Sequence, residues 1–334
     1  MKICLLSCSY RLHFLRSWSL RQTRRGSYRR KATILLGSRR STRRCSAKRA
    51  NCQTLVSLTL ARDEVPVPVG LRLFLPDSWT SDQDRMAKAG VPEEMRLPRT
   101  KPEIALDEID RRMAAGVRFG TVLADAGYGL SAAFRQGLSA RNLTWAVGIP
   151  KHQKVYPHDV ALIFPVAGHG RPRKHSIPDT LSTAAEMILE GTTWKKVSWR
   201  HGTKGRLTAR FAALRIRIAD GNPQRILDKG QQHMPGEEAW LVGEWRSNDE
   251  RKYYLANLPA EATLKALAAA IKARWVCEQA HQQMKEELGL DHFEGRSWQG
   301  LHRHALMTMI AYAFLQHQRL KKAKREKKEE ARPA

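Results

Sequence analysis

No aspartate or glutamate occurs before Asp63 in this 334-residue chain, although 16 of its 59 lysines and arginines fall in that opening stretch. The rest of the chain carries 43 basic against 32 acidic residues, so a net +11 persists there out of the total +27. A surplus of that size favours a polyanionic partner, nucleic acid above all. Cysteine is scarce and odd in number: Cys4, Cys8, Cys45, Cys52 and Cys277, with no CxxC pair. That excludes a zinc ribbon and a disulfide framework and fits a reducing cytoplasm. Long apolar runs are also missing. The most apolar late stretch, residues 305–315, is too short to cross a bilayer, and residues 3–6 are too few for the core of a secretory signal. No internal repeat is evident. A cytoplasmic protein without membrane segments is the expectation, and a hydrophobic fraction of 42% is enough for a true core.

Order is uneven along the chain. Residues 1–49 hold 15 basic side chains and no sustained period of 2 or 3.6, so they are expected to be a basic segment without order of its own. Alternation begins at Asn51 and, with residues 65–75, predicts two antiparallel strands about a turn at residues 61–64. Residues 79–92 read as a polar loop. Residues 101–116 predict a helix with Pro102 in its first turn and a stripe of Ile104, Leu106, Ile109 and Met113. A short apolar strand then ends at Asp125, followed by a turn, a helix over residues 132–140 and a strand over 144–149. This alternation predicts an α/β sheet. Residues 50–150 form the first part of that core. Residues 151–262 read as a β-rich insertion, with a hairpin about residues 247–249. Residues 263–320 return to helix, including a buried helix over 300–320, and residues 321–334 form a charged tail.

The helix over residues 274–289 carries the most chemistry. Spacings of three and four residues stack Arg274, Glu278, His281 and Lys285 along one face, while Val276, Ala280, Met284 and Leu288 form a packing stripe. A glutamate between two cations suits a metal ligand beside bound phosphates. With Asp125 at the end of a core strand, it could form a carboxylate pair for Mg²⁺. The same residues also fit a plainer account: solvent-facing charge pairs on the helix, and an aspartate that caps the helix after it.

The run Leu123-Ala-Asp-Ala-Gly-Tyr-Gly129, the R-x₃-E-x₆-K pattern at Arg274, Glu278 and Lys285, and residues 287–298 resemble bacterial insertion-sequence transposases of the DDE superfamily. The pattern resembles that of the group with a Y-x₂-R-x₃-E-x₆-K signature and a β-strand insertion, over about residues 50–320. The resemblance implies an RNase H-like α/β fold, a mixed sheet with helices interrupted by the insertion. It implies Mg²⁺ (or Mn²⁺) at three acids, cleavage at element ends and strand transfer into target DNA. Its further implications are a homodimer on DNA and a bacterial, nucleoid-associated setting. By it, Asp125 and Glu278 are the second and third catalytic acids and metal ligands, and Arg274 and Lys285 contact DNA phosphates. The signature tyrosine is replaced by Ile271. The first acid, expected on a strand before the hairpin, has no counterpart, so impaired catalysis follows; the alternative is a DNA-binding remnant or regulator that occupies transposon ends. Residues 1–49 then read either as out-of-frame coding sequence or as a basic arm on DNA.

Residues 191–219 contain eight basic side chains, no acid, and two tryptophans. Trp194, Lys195, Lys196, Trp199, Arg200 and Lys204 are therefore the expected DNA contacts of the insertion, a tryptophan holding a displaced base. Both tryptophans equally suit packing within the small sheet.

Overall fold

Runs of four to six apolar residues broken by polar ones cannot make a helical face, and most of them pair as strands. A computed structural model describes residues 1–11, 39–43, 46–62, 64–164, 175–202, 205–226 and 230–330. It opens with β1 (Lys2–Arg11), β2 (Arg39–Arg43), β3 (Ser46–Arg62) and β4 (Val65–Phe74). Then come α1 (Asp77–Thr80), α2 (Gln83–Lys88) and α3 (Lys101–Ala114). β5 (Thr121–Ala124), α4 (Ala126–Gly129), α5 (Ala132–Ala140) and β6 (Thr144–Ile149) follow. Next are β7 (Lys154–Pro157) and three two-residue strands, β8 (Leu162–Ile163), β9 (Ile177–Pro178) and β10 (Thr183–Ala184). α6 (Ala185–Glu190) precedes β11 (Lys195–Gly202), β12 (Gly205–Arg225), β13 (Gln231–Trp245) and β14 (Arg251–Ala256). The chain ends in α7 (Leu264–Lys272), α8 (Trp275–Glu286) and α9 (Trp298–Glu330). The class is mixed α/β, as expected.

One compact unit comprises Met1–Cys4 and Arg118–Trp275. Its strands run β10-β7-β12-β13-β14-β6-β5-β1, with β11 also on β12. β5 and β6 are parallel, from Thr121 opposite Thr144 to Ala124 opposite Val147. β14 lies antiparallel on β6, pairing Tyr253 with Ile149. Most of the β-rich region is thus hydrogen-bonded to a core strand and continues the sheet, while β8 and β9 pair as a small sheet of their own. A buried pair, Arg135 and Asp220 at 2.7 Å, joins α5 to β12.

The other unit comprises Leu5–Val117 and Val276–Ala334, with β3 between β1 and β2 and also paired with β4. The expected hairpin is present, from Thr54 opposite Phe74 to Arg62 opposite Val65. Pro66 and Pro68 lie on β4, which among the described residues pairs with β3 alone, the edge position at which proline is tolerated. Thr100 and Glu103 form a capping box at the start of α3, a motif that contributes about 1 kcal/mol. The core gathers Leu55, Leu73, Trp79, Met86, Ala280, Met284, Leu301 and Tyr312.

Several expectations are corrected here. Residues 1–49 are not wholly without order: β1 and β2 pair into sheet, and Cys4 is buried, since a four-residue apolar run suffices for a strand. Residues 79–92 are not a loop; α1 and α2 form there because Trp79, Met86, Ala89 and Val91 bury against the core. Met113 is exposed, because β3 and β4 cover the face of α3 that carries Ile104, Ala105, Glu108 and Ile109. The last helix is longer than expected and only half-buried. It packs on β4 while Leu306, Met307, Ile310 and Phe314 remain exposed. Its charged end continues the helix to Glu330. Asp63, expected in the hairpin turn, lies outside the described residues. Among the described residues no helix is long and apolar enough to span a membrane.

Candidate catalytic and nucleic-acid-binding residues

Asp125 ends β5, whose residues Val122, Leu123 and Ala124 are buried. Its backbone is extended, and its carboxylate accepts the Gly127 N–H at 2.9 Å, capping α4. The turn that follows is held tightly. A Cβ on Gly129 would lie 1.9 Å from the Gly148 carbonyl oxygen, so only glycine lets α4 approach β6 this closely. Tyr128 is buried, its ring 5.6 Å from that of Phe134. The capping role is therefore realised. It is compatible with cation ligation, since an ionised carboxylate offers about four lone-pair directions on two oxygens.

Glu278 occupies the first turn of α8 and is exposed; Lys285, in the last turn, is half-buried. His281 does not share that exposure. It is buried among Val276, Cys277, Ala280 and Met284, and its Nε2 lies 2.8 Å from the Ser57 hydroxyl. Burial and then the charge of Lys285 push its pKa down to about 4, so it is neutral near pH 7. The stripe read from the sequence is thus split: Glu278 and Lys285 flank a packing face of which His281 is part.

Arg274 precedes α8 in a turn and belongs, with Asp125, to the unit that ends at Trp275; Glu278 and Lys285 belong to the other. In the first of these units lies an ion cluster that the sequence did not announce. Glu244 is fully buried and accepts from Lys272 Nζ at 2.7 Å, Tyr254 Oη at 2.8 Å and Arg246 Nε at 2.9 Å. Burial pushes its carboxyl up, but the bonds from Lys272 and Arg246, the Lys272 charge and the Tyr254 hydroxyl outweigh it and hold it below the usual range. Burial pushes the Lys272 ammonium down in spite of Glu244. The only hint in the sequence was a glutamate at a position of apolar alternation in residues 239–245.

The two tryptophans of the basic stretch are both half-buried and packed. Trp194 lies over Gly243, where a Cβ would come within 2.5 Å of its ring, and meets Trp245 edge-on at 5.8 Å. Trp199 meets buried Phe211 edge-on at 5.7 Å, with Lys272 Nζ 4.8 Å from its ring centre. Arg200 stacks on Trp275 at 3.7 Å. Lys195 and Lys196 are exposed and, as neighbours on β11, face opposite sides of the sheet. Lys204 lies outside the described residues.

The donors at Asp125 and Glu278 are the hard oxygens that Mg²⁺ prefers. The described residues contain no group of three His, Cys, Asp or Glu that could hold a metal. β1, the strand beside β5, carries no acid at all. Neither Asp125 nor Glu278 belongs to such a group, so the residues described do not make up a three-acid metal site.

A family model described as DDE superfamily endonuclease matches residues 26–206, just over half of the chain. The match takes in Asp125 and ends before Glu278. It begins within the basic opening segment. No curated protein matches the sequence. Among solved structures, the chain is similar to a piggyBac transposase in a synaptic complex with hairpin DNA, with 8% identity and a TM-score of 0.38. The likeness covers 93% of this chain and 45% of that one, so the chain spans less than half the length of that transposase.

Proposed function

The chain belongs to the DDE superfamily of endonucleases, and from that premise we propose that it is an insertion-sequence transposase whose DNA binding outlasts its cleavage. The reading includes an RNase H-like core, a pair of chains on paired element ends, and a bacterial cytoplasm where the nucleoid is the target. Support for the core comes from the strand neighbours within one unit, where β5 lies beside β1 and runs parallel to β6.

The observation that carries the impairment is the composition of β1. Its ten residues, Lys-Ile-Cys-Leu-Leu-Ser-Cys-Ser-Tyr-Arg, include no carboxylate, whereas Asp125 ends the neighbouring strand. The superfamily's chemistry requires charge neutralisation at the scissile phosphate by divalent cations held on acids. With one ligand missing, binding of DNA persists through its phosphates while turnover falls. Arg274 and Lys285 serve as phosphate contacts in this reading, and Asp125 and Glu278 as the remaining ligands.

The test is a pair of assays on the element's ends: a mobility-shift assay for binding, and Mg²⁺- or Mn²⁺-dependent cleavage and strand transfer. Binding without appreciable turnover is expected. Robust turnover abolished by Asp125→Ala would overturn the impairment, and failure to bind DNA would overturn the transposase reading. A second reading, a regulator that occupies transposon ends, is favoured by the same acid-free strand. It predicts that the full chain competes with an intact transposase for those ends.

A further inference from the structure

Four adjacent strands of the β-rich region bring one set of side chains into a single line. Lys196 on β11 pairs with Arg210 on β12, Arg210 with Trp245 on β13, and Trp245 with Arg251 on β14. Directly opposed residues of antiparallel strands project to the same face, so Lys196, Arg210, Trp245 and Arg251 form one row across the sheet. All three cations are exposed and Trp245 is half-buried. Both guanidinium groups rest on its indole, Arg251 at 4.5 Å and Arg210 at 5.4 Å from the ring centre. Trp194 closes one edge of that ring. The indole N–H is taken by Asp249 at 2.7 Å.

Of the nearby acids, Asp249 stands at the row itself through its bond to the indole, and the others are committed elsewhere. Glu250 pairs with Arg246 at 3.1 Å and Lys252 at 3.5 Å, and Glu244 is buried toward the opposite face. Among the described residues, none of Lys196, Arg210 and Arg251 forms an ion pair, whereas Arg215 on the same strand is bound to Glu238 at 2.9 Å. Three positive charges are therefore held in line without an ion-pair partner among the described residues, two of them fixed on an aromatic platform, and the one carboxylate beside them, Asp249, leaves the row net positive.

We propose that this row is a backbone clamp for double-stranded DNA: Lys196, Arg210 and Arg251 each bind a phosphate, and Trp245 orders the two arginines without stacking on a base. The proposal rests on the DNA-binding reading above and specifies which face of the sheet meets the duplex. Strands lie about 4.8 Å apart, so the row spans roughly 14 Å, a length over which one DNA strand presents several phosphates. The indole is already covered by two guanidinium groups, so the row reads charge rather than sequence.

The experiment measures binding of the full chain to a fluorescent duplex of arbitrary sequence across a series of NaCl concentrations. For each phosphate no longer neutralised, the slope of log affinity against log salt is expected to fall by about 0.9. Arg210→Gln with Arg251→Gln should lower it by about two, equally on any sequence. Trp245→Leu removes no charge; it should weaken binding several-fold at unchanged slope. Arg215→Gln should alter neither. An unchanged slope in the double variant, with strong salt-dependent binding by the parent chain, overturns the row but leaves the DNA reading intact. An equal fall in Arg215→Gln overturns the row as well. Absence of salt-dependent binding by the parent chain instead removes the reading beneath both. Retained far-ultraviolet dichroism in the glutamine variants separates weakened phosphate binding from unfolding.

Discussion

Lys272 reaches Glu244 at 2.7 Å and thereby ties the end of α7 to the end of β13, in a place where the glutamate is fully withdrawn from water. The pair is completed by Arg246 and Tyr254, which fill the other acceptor positions of the carboxylate. Removing one partner of such a group leaves buried charge uncompensated, which costs about 3–5 kcal/mol. Glu244→Gln should therefore destabilise the chain by about 3 kcal/mol in urea unfolding. The folded carboxyl titrates below its ordinary value of 4.5, so the stability it contributes is complete above that value. It is lost as pH falls through the lower, folded value. Glu244→Gln should remove that acid sensitivity; an unchanged acid limb in the variant would contradict the assignment.

His281 gives a second pH dependence in a separate window. Its folded pKa is lowered from 6.5 to about 4 by burial and the neighbouring Lys285. The unfolded chain thus takes up a proton below 6.5 that the folded chain refuses until about 4. Stability is full above about 6.5 and declines by about 3 kcal/mol as pH falls to about 4. His281→Gln can still bond Ser57 and does not titrate. Unfolding free energies measured at several pH values should be flatter for the variant over this range.

Gly129 and Gly116 make a contrast between crowding and backbone strain. Alanine at 129 would place a Cβ 1.9 Å from a backbone oxygen of β6, so α4 or β6 must move. Alanine at 116 meets open space and is disfavoured only by a positive φ of 77°. Gly129→Ala should cost at least about 2 kcal/mol, and Gly116→Ala about 1 kcal/mol. Thermal unfolding of the two variants should rank them in that order.

Asp125→Asn and Glu278→Gln separate chemistry from structure. Asparagine caps as well as aspartate, so the bond to the Gly127 N–H should survive with a stability change below about 0.5 kcal/mol. Glu278 is exposed, and its neutral amide should be similarly mild. Any residual Mg²⁺-dependent cleavage by the parent chain should vanish in both. Cleavage that persists in both variants would mean that these carboxylates are not ligands.

The elements that periodicity defined well were those with a single buried face. The hairpin of β3 and β4, the strand ending at Asp125 and helices α3, α5 and α8 all fall within a few residues of their expected bounds. Periodicity misled where burial was decided from outside the segment. Trp79 and Met86 looked solvated among polar neighbours, yet they fill the core beside Leu301 and Tyr312. His281 looked like part of a charged stripe, yet β3 supplies the Ser57 hydroxyl that takes its ring. For the candidate sites, the carboxylates and the basic stretch were legible as residue types. The way Arg210, Trp245 and Arg251 align was not, because cross-strand register joins positions up to 41 residues apart in the chain.

Covalent order alone determined that this protein is basic, that no acid can stand on its first strand, and that Asp125 closes an apolar strand against a glycine-rich turn. These follow from composition and short-range pattern, which need no folded partner. Tertiary structure alone decided that Glu244 gathers three donors in a dry site, that His281 is packed rather than presented, and that three cations without ion-pair partners among the described residues face one side of a sheet. Each of those depends on water being excluded or charges being aligned by strands distant in sequence, and the local chain carries no record of either.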